Sequence, residues 1–166
     1  MLTVIPQEED NLNPSVEERL NAMGLELPEV IPPVAAYVPA VRTGNLVFTA
    51  GQLPFLKGVL LHTGKVGADL TAEEAARSAR LCALNCLAAV KAVIGSLDRI
   101  VRIVKVTGFV NGAAGFTGQP AVLNGASEFF KQVFGTAGEH ARSAVGVAEL
   151  PLNAPVEVEI IVEVEA

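Results

Sequence analysis

Long apolar runs are missing from this 166-residue chain. None of its short, interrupted hydrophobic stretches approaches the ~20 residues that span a bilayer. The first residues, Met1 to Asn13, hold Glu8, Glu9 and Asp10 and no basic residue. That is the wrong charge for a secretory or transit leader. The expectation is a cytoplasmic protein with no membrane partner. Basic runs are missing too: the formal net charge is −6, and Lys and Arg are scattered. A nucleic-acid binder needs a basic stripe to displace phosphate counterions, so nucleic acid is not expected as a partner. Cysteine and histidine are scarce, with two of each. Cys82 and Cys86 stand four apart in a helical stretch, and His62 and His140 form no motif with them. Metal sites usually take three or four ligands, so the pair reads as two small core residues on one helical face. No metal is expected at this pair. GxGxxG, Walker, HExxH and GxSxG patterns, internal repeats and low-complexity tracts are all lacking.

What is present suits one folded domain with a sizeable core, since 51% of the residues are hydrophobic. Ser15 and Glu18 form a capping box, with each side chain placed to serve the other's free amide, and predict a short helix over 15–23. It precedes a Pro-rich stretch from Leu27 to Pro33, so residues 1–33 read as an extension packed on a domain of residues 34–166. Val34–Val41 and Asn45–Gly51 read as strands joined by a hairpin turn, and Val59–His62 as one short strand. Thr71 opens the strongest helix, running to about Ile94 with Gly95 as its stop. Its wide apolar band, which includes Cys82, Cys86, Ala89 and Val93, suits packing on a sheet.

Val101–Val110 is a strand with two largely apolar faces. Arg102, Val104, Val106, Gly108 and Val110 lie on one; Val101, Ile103, Lys105, Thr107 and Phe109 lie on the other. Both faces therefore call for a cover. Two helices cover one face of a sheet in a chain this size, which leaves the other for a partner subunit. A helix from Pro120 to Phe134, a strand over 143–148 and a last strand over 156–165 complete the order β-β-α-β-α-β-β. That order predicts an α+β sandwich with two helices on one face of a mixed sheet.

Two segments carry the chemistry. One is Tyr37-Val38 followed by Gly44-Asn45-Leu46-Val47-Phe48-Thr49-Ala50-Gly51-Gln52-Leu53-Pro54. The other is Arg142-Ser143-Ala144-Val145-Gly146-Val147-Ala148-Glu149-Leu150-Pro151 followed by Val156-Glu157-Val158-Glu159. With these two segments the chain resembles the RidA/YjgF family, over about residues 35–165. The resemblance implies a chorismate-mutase-like fold, a homotrimer, and ligand clefts between subunits. It implies hydrolysis of 2-aminoacrylate-type enamine and imine acids to 2-keto acids and ammonia, without metal or cofactor. Arg142 matches the arginine that holds the substrate carboxylate, and Glu157 the glutamate that positions water. Tyr37 and Asn124 match further site residues, Gly51 the glycine whose backbone lines the pocket, and Ala50 and Ala144 lie beside them.

The chemistry suits those roles. Arg offers a rigid fork of donors to a carboxylate, and Glu can orient a water and shuttle its proton. On the residues alone Arg142 reads more readily as a structural ion-pairing residue at an interface, and Glu157 equally as a solvated strand residue like Glu163. Some positions depart from the family pattern. Ala50 stands where a serine is common, His140 near where short members have proline, and the stretch from Phe130 to Arg142 is about two residues longer. Two other functions stay open: a non-catalytic module binding a small carboxylate in the same cleft, and a ribonuclease or translation inhibitor, which the acidic charge disfavours. The path from Arg142 through a Leu-Pro turn to Glu157 is expected to bring the two side chains near one cleft.

Overall fold

A computed structural model of the chain describes residues 13–30 and 32–166. Helix α1 spans Val16–Ala22 and starts at Ser15, whose capping box with Glu18 is formed. Val16 and Leu20 are buried in the main core, and the Val16 amide donates to Asp98 Oδ1 at 2.8 Å.

Strands β1 (Ala40–Thr43) and β2 (Leu46–Thr49) form the expected hairpin across Gly44 and Asn45. The first strand starts six residues later than the sequence predicts. Pro39 has no amide to donate, but its carbonyl accepts from the Ala50 amide at 2.8 Å, so pairing opens there. Tyr37 therefore lies outside the sheet. β3 (Phe55–Leu56) and β4 (Val59–Leu60) make a small second hairpin where one strand was expected.

Helix α2 runs from Ala72 to Ile94, opened by Thr71 and ended by Gly95 as predicted, and Thr71 also forms a capping box with Glu74. Every residue from Cys82 to Val90 is buried, so this helix is enclosed all round in its middle. β7 lies on one side of it and helix α3 (Gln119–Phe134) on another. On a third side Asn85 Nδ2 donates to the carbonyls of Leu53 and Phe55. Val93, expected in the band, is exposed.

β5 (Ile100–Asn111), β6 (Ala141–Val147) and β7 (Val156–Val164) complete a five-stranded mixed sheet of order β1-β2-β7-β5-β6. Only β5 and β6 are parallel. In β7 the residues Val156, Val158, Ile160, Val162 and Val164 are all buried, the alternation read from the sequence. In β5 the predicted faces need correction. Irregularities against β7 near Ile100/Arg102 and Ile103/Lys105 shift the alternation, as extra residues in a strand do. Ile103 thereby joins Val106, Gly108 and Val110 on the buried side. That side meets α2 and α3. The opposite side carries Phe48, Lys105, Thr107, Phe109, Glu157, Glu159 and Ile161, none of them fully buried. No helix among the described residues is long and apolar enough to cross a membrane.

Candidate functional site

Arg142 lies within β6, where the sequence placed it just before a strand. Parallel pairing with β5 begins one residue earlier, at Ala141 opposite Lys105. Arg142 is in register with Val106, and Val106 with Ile160. Both partners are buried against the helices, so Arg142 points to the helix side from the edge strand. There its Nη1 donates to Asn124 Oδ1 at 2.8 Å and to Ser127 Oγ at 3.2 Å. Asn124 and Ser127 are three apart on α3 and share one face. No carboxylate lies within ion-pair distance of Arg142 among the described residues. Its Nε and Nη2 make no hydrogen bond there either, so two donors of the fork stay available.

Two further residues complete this cluster. The short turn Gly135–Gly138 after α3 folds back on the helix, because a Cβ at Gly138 would stand 2.2 Å from the Phe130 carbonyl oxygen. That close approach sets His140 edge-on to Phe130, with ring centroids 5.9 Å apart. His140 Nδ1 lies 2.7 Å from the Gly138 carbonyl and Nε2 lies 2.9 Å from Ser127 Oγ. Burial first, and then the charge of Arg142, hold the imidazole below its usual pKa, with the bond to Gly138 opposing them. An open cleft of about 260 Å³ is lined by Ser127, Lys131, Gly138, Glu139, His140 and Arg142.

Glu157 sits elsewhere. It is in register with Phe109, three residues along β5 from the partner of Arg142, and on the opposite side of the sheet. One whole strand separates β6 from β7. The expected return path is thus corrected: β6 and β7 are not neighbours. Their two side chains are separated by roughly 10 Å across the strands, by about as much along them, and by the sheet itself.

Glu157 instead meets Gly51. The backbone beyond β2 stays beside β7, with Gln52 and Val158 exchanging hydrogen bonds at 2.8 and 3.1 Å. The Glu157 carboxylate crosses the bare Cα of Gly51, where a Cβ would fall 1.9 Å from Oε1. Burial and then the neighbouring Glu159 raise the Glu157 pKa, so its proton is easier to hold than that of an ordinary carboxylate.

Among the other expected site residues, Asn124 joins Arg142 directly. Ala144 follows Arg142 on the same side of β6, in register with Gly108. Ala50 lies next to Gly51, half-buried and without a hydroxyl, and Tyr37 is exposed ahead of β1. The single chain therefore gathers two half-sites: Arg142, Asn124 and Ala144 in one, Ala50, Gly51 and Glu157 in the other. Ser127 was not singled out from the sequence, although its step from Asn124 would have found it once Asn124 was assigned to Arg142. His140 stood out only as a departure. Cys82 and Cys86 belong to neither half. Both are buried on α2 with their sulfurs against the Val156 and Val158 carbonyls, and burial pushes both thiols up in pKa.

The model of the family described as "YjgF/chorismate mutase-like, putative endoribonuclease" matches residues 17–164. The chain belongs to the YjgF family. Within it, the chain is similar to Protein TCP17 of Trypanosoma cruzi, at 44% identity over 89% of this chain and 93% of that one. It is similar to a 2-iminobutanoate/2-iminopropanoate deaminase of Dermatophagoides farinae, at 35% identity over 80% and 89%. Among solved structures, the Agrobacterium tumefaciens protein Atu1372, of unknown function, superposes with a TM-score of 0.85 at 44% identity, covering 92% of this chain and 93% of that one. This relative named as an imine deaminase thus stands at lower identity than TCP17 and Atu1372, whose names state no activity.

Proposed function

We propose that this protein hydrolyses small enamine and imine acids of the 2-aminoacrylate type, releasing 2-keto acids and ammonia, in clefts between the subunits of a homotrimer. The observation that carries the reading is the state of Arg142. One guanidinium nitrogen is tied to Asn124 and Ser127, and two remain to grip a carboxylate. An anchored planar fork of this kind suits bidentate carboxylate recognition.

The second half-site lies across the sheet, so Glu157 and Arg142 serve one substrate only if they come from different copies. The uncovered side of the sheet, with Phe48, Phe109 and Ile161, supplies apolar surface for that association. Arg142 then holds the carboxylate, with Asn124 steadying it, while Tyr37, Ala50, Gly51 and Ala144 line the pocket. Glu157 of a neighbouring copy takes a proton from water as the oxygen adds to the C=N carbon. It passes that proton to nitrogen to give a carbinolamine, then carries the hydroxyl proton to nitrogen as the C–N bond breaks, so both protons of water end on ammonia and its oxygen stays as the ketone. A carboxyl with a raised pKa suits both transfers. The net charge of −6 gives no support to RNA as substrate.

Imino acid generated in place by an amino-acid oxidase provides the test, with ammonia and 2-keto acid release followed against buffer. Release no faster than in buffer rejects the enzyme. If carboxylate binding then still depended on Arg142, a non-catalytic binding module on the same scaffold would be the better reading.

A further inference from the structure

The hydrogen bonds around His140 run in one direction. A carbonyl oxygen only accepts, so at Gly138 the imidazole must donate through Nδ1 at 2.7 Å. In the neutral ring Nε2 is then the acceptor, and the Ser127 hydroxyl 2.9 Å away donates to it. With its proton committed to His140, Ser127 Oγ presents lone pairs to Arg142 Nη1 at 3.2 Å. A guanidinium can only donate, so every link agrees in sense: Arg142 to Ser127, Ser127 to His140, His140 to Gly138. Glu139, which lines the same cleft, is engaged by Lys131 at 3.2 Å and does not pair with Arg142.

We propose that His140 is a positioning residue which, through Ser127, fixes the rotation of the Arg142 guanidinium and so sets the affinity of the site for small 2-keto and 2-imino carboxylates. The proposal rests on Arg142 being the carboxylate anchor. An imidazole that accepts from Ser127 stops the hydroxyl from turning its proton toward the guanidinium. Without it, Asn124 alone holds Nη1, and the fork can swing about that one bond. Burial of the ring and the adjacent Arg142 charge both favour the neutral form this arrangement needs.

Binding of pyruvate to the full-length protein, followed by calorimetric titration, provides the test, with subunit assembly and melting temperature measured alongside. His140→Leu keeps an apolar contact to Phe130 but accepts nothing. Its Kd for pyruvate should rise about tenfold, the size expected when a bond to a charged group is misaligned. His140→Gln, whose amide oxygen can accept from Ser127 without titrating, should restore most of the affinity. Ser127→Ala should raise Kd by a similar factor, and adding His140→Leu to it should do nothing more, because the connection is already cut. A His140→Leu protein with wild-type affinity, or losses that add in the double variant, would overturn the proposal. So would a wild type that does not bind pyruvate.

Imine turnover measured in parallel separates the two readings. Relay-dependent pyruvate binding without turnover keeps the relay and rejects the deaminase. Turnover with binding indifferent to His140 does the reverse.

Discussion

Ile160 and Ile161 are neighbours in β7 with opposite surroundings. Ile160 is 1% exposed, sealed between the sheet and α2, whereas Ile161 is half-buried beside Glu159, Lys105 and Phe48. The same division runs through β2, β5 and β7. One side is lined by Val47, Ile103, Val106, Val158 and Val162, all 0% exposed. The other mixes carboxylates, a lysine and aromatic rings, none of them fully buried by the described residues. A side packed this closely governs whether the chain folds, and the open side is left to govern what it meets. The half-site with Glu157 belongs to the open side. The half-site with Arg142 sits at the edge of the packed one, where α3 can hold it.

The largest expected effect comes from breaking the packed side. Ile160→Asp would bury a carboxylate without a partner, at a cost on the order of 4–5 kcal/mol or more. Circular dichroism should show a largely unfolded or aggregated chain, and a native spectrum would deny the distinction between the two faces. Next is Arg142→Lys, which trades a planar fork for a point charge. We expect a loss of roughly 2–4 kcal/mol in transition-state binding with the assembly intact. Steady-state kinetics within twofold of wild type would show that the fork is not used.

Ile161→Asp should leave the secondary structure and most of the thermal stability in place while reducing the mass seen by light scattering from that of the proposed trimer to that of a monomer. A variant that still forms trimers would move the interface elsewhere. Gly51→Ala is milder. Its new Cβ displaces the Glu157 carboxylate, which should lower kcat more than it raises KM, without change in mass. A crystal structure of the variant with Glu157 unmoved would contradict this.

The smallest effect is in the pH dependence of stability. Glu157 has a raised pKa in the folded chain, so the folded state binds that proton more tightly than the unfolded state does. Its contribution is complete below the ordinary carboxylate value and is lost as pH rises through the folded value. Glu157→Gln should therefore be slightly more stable than wild type at neutral pH and not below the ordinary carboxylate range. Urea midpoints at the two pH values check the sign, and a Gln variant that gains equally at both would refute it.

Local features were legible in the sequence. The helix caps at Ser15 and Thr71 lie within three residues of their partners, and the alternation in β7 follows from a strand without bulges. What failed was set by distant partners. The phase of β5 depends on irregular pairing with β7, and the start of β1 on Pro39 meeting Ala50. The placement of β6 against β5, instead of beside β7, is a matter of topology that no local pattern encodes. For the same reason the Arg142 motif was legible but its relation to Glu157 was not. Asn124 was found by resemblance alone. The link between Ser127 and His140 became visible only once the turn at Gly138 folded back onto α3.

Cys82 and Cys86 lie in the stretch of α2 enclosed on every side. A soluble alkylating reagent reaches either sulfur only when α2 parts from β7, and that parting disrupts the main core. In the native molecule the two thiols are therefore a clock. Their rate of labelling counts openings of the whole fold, and a ligand that binds the folded chain alone should slow the count without touching either sulfur.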